Sequence, residues 1–211
     1  WAMTPIVKLI GMFNRGGHHS DGFSREELRI MADLGRREGQ LLEEESRILQ
    51  NLLHLREVTV DAVKTPRPVM FALPGNCTVG DYVEKHSHQL FSRIPLYGEN
   101  RDDITGFVLL SEVLLAAARD QHQRKLSEFK RAIVVMSEHT RVPEAFNKLT
   151  ASRHHIAVVY DEFGGVAGMV TLEDVVETLL GLEIVDENDV KEDMQAYARS
   201  KWEERARKME P

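Results

Sequence analysis

The stretch Gly168-Met-Val-Thr171-Leu-Glu-Asp174 decides how this chain is read. Its first half is short and apolar, as at the end of a buried strand. Thr171 followed three residues later by Asp174 has the spacing of a helix start, with the hydroxyl as N-cap and the acid in the first turn. Such a junction gathers a hydroxyl, unpaired backbone N–H groups and a carboxylate in one small volume. A nucleotide carries a matching set: a phosphate for the N–H groups and hydroxyl, and a ribose diol for the carboxylate. A plain helix start accounts for the same two side chains, and spacing alone leaves both readings open.

An imperfect echo stands earlier, in Gly106-Phe-Val-Leu109-Leu-Ser-Glu112. Gly106 and Gly168 are 62 residues apart, as are Ile94 and Ile156, Leu109 and Thr171, and Glu112 and Asp174. The shared offset marks a duplicated module, each copy reading strand, helix, strand, strand, helix. In copy one the predicted elements cover 69–73, 79–88, 94–96, 104–110 and 112–119. In copy two they cover 132–136, 142–152, 156–160, 166–170 and 172–180. Thr78 and Asp81 predict a capped start for the first helix, and Pro143 falls in a first helical turn, where proline is tolerated. One copy of about 60 residues has a marginal core. Two packed together would cover each other's sheet faces and leave a crevice between them.

The 211 residues suffice for one domain or two small ones, with 42% hydrophobic and 29% charged residues. Twenty-seven cations against 34 anions give a net charge of −7. That balance argues against non-specific nucleic-acid binding, which needs a basic face. The single cysteine, Cys77, has no intramolecular disulfide partner, and a reducing compartment fits best.

Residues 1–13 are apolar apart from Thr4 and Lys8. They are too few for a membrane span, which needs about 20 apolar residues, and lack the features of a signal peptide. A start at Trp1 reads as a fragment, and this segment as a buried helix or the trailing end of a membrane span. A glycine-rich linker, 16–22, follows. Ser24 and Glu27 have capping-box spacing, with Leu28, Met31 and Leu34 on one face and Gly35 and Gly39 as stops. A second helix opens on Glu43, Glu44 and Glu45, favourable charges at a helix amino end.

Together, Thr65-Pro66-Arg67, Ser92-Arg93-Ile94-Pro95-Leu96-Tyr97, His155-Ile-Ala-Val-Val-Tyr-Asp-Glu162, Gly164-Gly165 and the run from Gly168 to Asp174 resemble a known family. It is the cyclin M (CNNM)/CorC family of magnesium and cobalt transporters, also called haemolysin-like, in its cytosolic cystathionine-β-synthase (CBS) pair. The resemblance covers roughly residues 23–189. It implies an α/β (α+β) fold of tandem CBS domains, preceded by a helical pair and followed by a C-terminal helix. The division it implies is a juxtamembrane segment and linker at 1–23, a helical connector at 24–60, CBS domains at 61–121 and 122–182, and an acidic stretch with a helix at 183–211.

The resemblance also implies a function: a non-enzymatic regulatory module of an efflux-type divalent-cation transporter, on the cytoplasmic face of the membrane. Its transmembrane domain would precede Trp1, and the CBS pair would form a homodimer and bind Mg-ATP. Thr65, Phe91, Arg93, Ile94, Thr171 and Asp174 are the expected nucleotide-binding residues, with Mg²⁺ held through phosphate oxygens rather than by protein ligands. Guanidinium donors match phosphate oxygens, which suits Arg93; its other reading is an ion pair with Glu99 or Asp103. Leu109 and Glu112 depart from the hydroxyl-and-Asp pattern, which argues against a second nucleotide in copy one. A scaffold with a vestigial pocket is the alternative.

Other groups carry weaker signals. His18-His19, His86 with His88, and His154-His155 lack nearby Cys or carboxylate ligands at zinc spacing. The acidic group Asp186, Glu187, Asp189, Glu192 and Asp193 lacks the glycine and final Glu of a calcium loop. The stretch 190–209 has an uneven helical apolar stripe. No nucleophile–base pair or Gly-rich Lys-Ser/Thr phosphate loop appears.

Overall fold

A computed structural model describes residues 23–89 and 91–181. The expectations for residues 1–22, the acidic group and the C-terminal helix lie outside the described residues. Among the described residues, no helix is long and apolar enough to cross a membrane. Residues up to Ser46 and residues from Arg47 onward form two compact units.

In the first unit, helix α1 (Arg25–Arg37) starts where the capping spacing predicts. Ser24 Oγ accepts from the Glu27 N–H at 3.2 Å, and the Glu27 carboxylate accepts from the Ser24 N–H at 2.6 Å. Gly35 lies inside the helix rather than ending it. Gly39, at φ +72°, takes the left-handed turn beyond. Helix α2 (Glu43–His54) begins in this unit, where buried Ser46 donates its hydroxyl to the Ala32 carbonyl at 3.1 Å. Leu28, Met31 and Leu34 are exposed.

The second unit holds the duplicated module. After a single turn, α3 (Val60–Val63), its elements are β1 (Thr65–Pro66), β2 (Leu73–Pro74), α4 (Val79–His86), β3 (Arg93–Tyr97), β4 (Ile104–Leu109) and α5 (Leu110–Ala117). The second copy follows as β5 (Val134–Ser137), α6 (Val142–Ser152), β6 (Ile156–Tyr160), β7 (Val166–Thr171) and α7 (Leu172–Leu180). Three of its five elements have the predicted bounds. The strand expected at 69–73 does not form: Arg67–Val69 makes a 3₁₀ turn, and only Leu73–Pro74 pairs with β3. Pro68, which has no N–H for a ladder, sits in that 3₁₀ turn and leads the chain into it unpaired. Helix α4 stops at His86, and α5 starts at Leu110 rather than at 112.

The strands form two sheets, ordered β2-β3-β4 and β1-β7-β6-β5. Pairing shows the offset between copies to be 63 before the central turn and 62 after it. Ile94 lies opposite Val108, while its counterpart Ala157 lies opposite Val170. The turn of copy one is one residue longer, so the matched pair Ile94 and Ile156 are not equivalent; Arg93 is the counterpart of Ile156.

The sheets do not divide at the repeat boundary. β1, made before copy one's own sheet, runs antiparallel to β7, with Thr65 opposite Met169. In return, Leu126 is fully buried in the first core, and Arg131 bridges to Phe107 in β4. Each crossing passes over a glycine. A Cβ on Gly168 would lie 2.2 Å from the Thr65 carbonyl oxygen, and one on Gly106 would lie 2.4 Å from that of Arg131. Only a residue without a side chain lets the backbones approach this closely.

Three apolar clusters hold the unit together. Tyr82, Ile94, Leu96, Val108 and Val113 fill the first core, and Val60, Val142, Leu149, Val159 and Val170 the second. Met70, Ala72 and Ile104 meet Val158 and Val166 in a third, joining the two copies. β6 is thus covered on both faces, which explains its unbroken apolar run.

Candidate functional site

The site is built on the amino end of α7. β7 delivers Thr171, whose extended backbone makes it the N-cap. Thr171 Oγ1 accepts from the Asp174 N–H at 3.2 Å. In return, Asp174 Oδ2 accepts from the Thr171 N–H at 2.6 Å and from its hydroxyl at 2.8 Å. The helix-start reading of this motif is therefore physically realised, and the Thr171 hydroxyl is engaged by the acid. The Leu172 N–H donates to the His155 carbonyl at 3.1 Å. Among the described residues this leaves the Glu173 amide as the open donor of the first turn, and Asp174 Oδ1 as an open acceptor.

Among the described residues, no cation pairs with Asp174. Burial, with a smaller push from Glu177 and Glu173, raises its pKa from 3.8 to about 7 against the opposing capping bonds to Thr171. It still keeps part of its surface open to solvent. An acceptor in that state calls for donors, and a vicinal diol supplies two. A phosphate would be repelled there and suits the open amide at the positive end of the helix.

Two other elements converge on this point. β1 sets Thr65, almost fully buried, two residues before Thr171 along the neighbouring strand. β3 brings Arg93, whose Nε donates to the His154 carbonyl at 2.9 Å. His154 stands two residues before Ile156, which pairs with Thr171. The ion pairs considered for Arg93, with Glu99 or Asp103, do not form; Asp103 instead accepts from the Glu99 N–H. The bond to His154 had no sequence signal, because its partner is a backbone carbonyl 61 residues away.

Phe91 is about one-third exposed and lies 5.7 Å from Phe71, ring to ring. Ile94 is fully buried in the first core, so its side chain has no surface to offer a ligand. Lys64, the cation next to Thr65, is committed to Asp61 and to Glu138. Among the described residues, no group of three His, Cys, Asp or Glu could hold a metal ion.

The equivalent corner of copy one carries different side chains, tied by an exposed ion pair. Leu109 caps α5 without a side-chain hydrogen bond, and Glu112 stands where copy two has Asp174. Arg131, the counterpart of Thr65, donates to Glu112 at 2.7 Å.

Comparison with known proteins gives a consistent result. The CBS-domain family pattern matches residues 126–181. The magnesium and cobalt efflux protein CorC of Salmonella typhimurium is 31% identical over 192 residues, 89% of this chain and 65% of that protein. A UPF0053 protein of Synechocystis is 32% identical over 94% of this chain and 58% of its own length. The chain thus spans about three-fifths of the curated relatives it matches. Among solved structures, the CBS domain of a bacterial CNNM/CorC family Mg²⁺ transporter superposes with a TM-score of 0.72. It is 30% identical, over 78% of this chain and 100% of that one. The same domain in complex with ATP gives 0.62 at 31% identity, over 66% and 99%.

Proposed function

We infer the function from one premise: this chain belongs to the CNNM/CorC family of Mg²⁺ transporters, through their CBS-domain region. It acts as the regulatory part of a divalent-cation transporter, on the cytoplasmic face of the membrane, and binds Mg-ATP at the amino end of α7. The observation that carries this is the Asp174 carboxylate, whose Oδ2 is held by Thr171 and whose Oδ1 meets no donor among the described residues. The ribose diol donates to Asp174, and the phosphates lie toward the Glu173 amide with Thr65 alongside, while Arg93 borders the site through its bond to the His154 carbonyl. Phe91 borders the base. The site is poor in uncommitted cations, so Mg²⁺ on the phosphate oxygens supplies the charge compensation.

The module works as a homodimer of CBS pairs. ATP favours one arrangement of that dimer by its differential affinity, and the helical connector passes the difference to a transmembrane domain. A ligand role without turnover fits a chain that has no nucleophile–base pair in its sequence. A second reading, a constitutive dimerisation scaffold, draws on the capping box: Thr171 and Asp174 already satisfy much of each other's bonding.

Calorimetry separates the two. The wild type should bind ATP in millimolar Mg²⁺ and far more weakly in EDTA. Asp174→Asn should lose about ten- to a hundredfold, since bonds to a charged acceptor contribute about 1.5–3 kcal/mol each. Equal affinity in Mg²⁺ and EDTA would remove the metal from the proposal. An unchanged Asn variant would remove Asp174, and no binding at all would leave the scaffold.

A further inference from the structure

The turn that joins α6 to β6 is unusual. Arg153 and His155 both adopt left-handed backbones, each at φ +57°. Among the described residues only one other non-glycine residue, Asp120, has a positive φ. Side-chain-bearing residues disfavour this region, and two of them flanking one position need outside support.

That support comes from copy one. The His154 carbonyl accepts the Arg93 Nε–H at 2.9 Å, and the His154 ring packs edge-on against Phe107 of β4 at 5.5 Å. The next carbonyl, that of His155, receives the Leu172 N–H, the first amide of α7. A continuous path therefore runs from β3 of one copy, through a strained turn, to the helix end that carries Thr171 and Asp174. In copy one the Ser92 carbonyl receives the corresponding Leu110 N–H at 3.0 Å. There, neither Ser92 nor any other described residue between α4 and β3 is left-handed. Among the described residues, the clamped turn with a left-handed residue next to the strand stands beside the Thr–Asp helix start.

We propose that Arg93 is a positioning residue: its Nε–H bond to His154 pins the left-handed turn and thereby aims the amino end of α7 at the ligand, making nucleotide affinity depend on contact between the two repeats. This rests on the nucleotide reading above. It differs from a direct phosphate contact in a measurable way. A misaimed helix end weakens every ligand that carries the ribose, whereas a lost phosphate contact weakens ligands according to their phosphates.

The test uses the full chain and its Arg93→Gln variant, titrated with ATP, ADP, AMP and adenosine in Mg²⁺. Positioning predicts a loss of about the same factor for all four, on the order of tenfold, the worth of one charge-assisted hydrogen bond. His155→Gly added to Arg93→Gln should recover part of that loss, because glycine holds φ +57° without support. Hydrogen exchange at the Leu172 amide should be faster in Arg93→Gln and return toward wild type in the double variant. A loss that grows with phosphate number and spares adenosine, without glycine rescue, overturns the proposal. If the wild type binds none of the four, the nucleotide reading has failed. Unchanged Leu172 exchange in Arg93→Gln would then overturn the pin as well.

Discussion

Replacing Asp174 with Asn should change how stability depends on pH, with or without a ligand. Asn keeps the shape and a carbonyl acceptor for the Thr171 N–H, but cannot ionise. The wild-type carboxyl is raised from 3.8 to about 7 by burial. The folded chain therefore holds a proton between pH 4 and pH 7 that the unfolded chain has released. The sign follows from linkage: this contribution is fully present below the unfolded value near 4 and is lost as pH rises through 7. At 1.36 kcal/mol per pKa unit, three units amount to about 4 kcal/mol. Asp174 keeps some solvent contact, so about 2–4 kcal/mol is the expected span. Urea unfolding of both proteins at pH 5, 6, 7 and 8 measures it. From pH 5 to pH 8 only about two of those three units are crossed, so the stability of wild type relative to the variant should fall by about 1.5–2.5 kcal/mol over that range. Parallel curves, within an extrapolation error of about 0.5 kcal/mol, would refute the premise of a buried acid without a cation.

The same group predicts that Mg-ATP affinity falls about tenfold from pH 8 to pH 6, as the ionised fraction that can accept both diol hydrogens declines; calorimetry at constant free Mg²⁺ would show it. Gly168→Ala would push a methyl into the Thr65 carbonyl, and should cost about 3 kcal/mol and lower Tm by roughly 6–12 °C in a scan. Leu149→Ala, in the second core, should cost about 2–5 kcal/mol in urea. Phe163→Ser, on a ring 88% exposed, should stay within about 0.5 kcal/mol of wild type. Glu112→Gln breaks a pair that is about two-fifths exposed, and should cost no more than about 1 kcal/mol, shrinking further in high salt.

Local chemistry made much of the architecture readable. Ser24 with Glu27, Thr78 with Asp81, and Thr171 with Asp174 each close the capping arrangement that their spacing predicts. The apolar run from Ile156 to Tyr160 forms one strand with those bounds. Nonlocal geometry was hidden. Thr65 and Pro66 are too few to show a strand period, and their partner lies a hundred residues on. The identity of Ile94 and Ile156 suggested a constant offset, yet a one-residue difference in turn length moves the true counterpart to Ala157. Arg93 was legible as a charge near the site but not as a donor to a main-chain carbonyl, since any residue carries that acceptor.

The exchange of segments between the two copies has a bearing on biosynthesis. Thr65 is translated about a hundred residues before its ladder partner Met169. The four-stranded sheet therefore cannot complete itself until β7 has been made, and its first-made strand waits unpaired while the three-stranded sheet can already assemble from the intervening chain. Nor could the halves be expressed apart: severing the chain between them takes β1 from one sheet and Leu126 from the other core in a single cut.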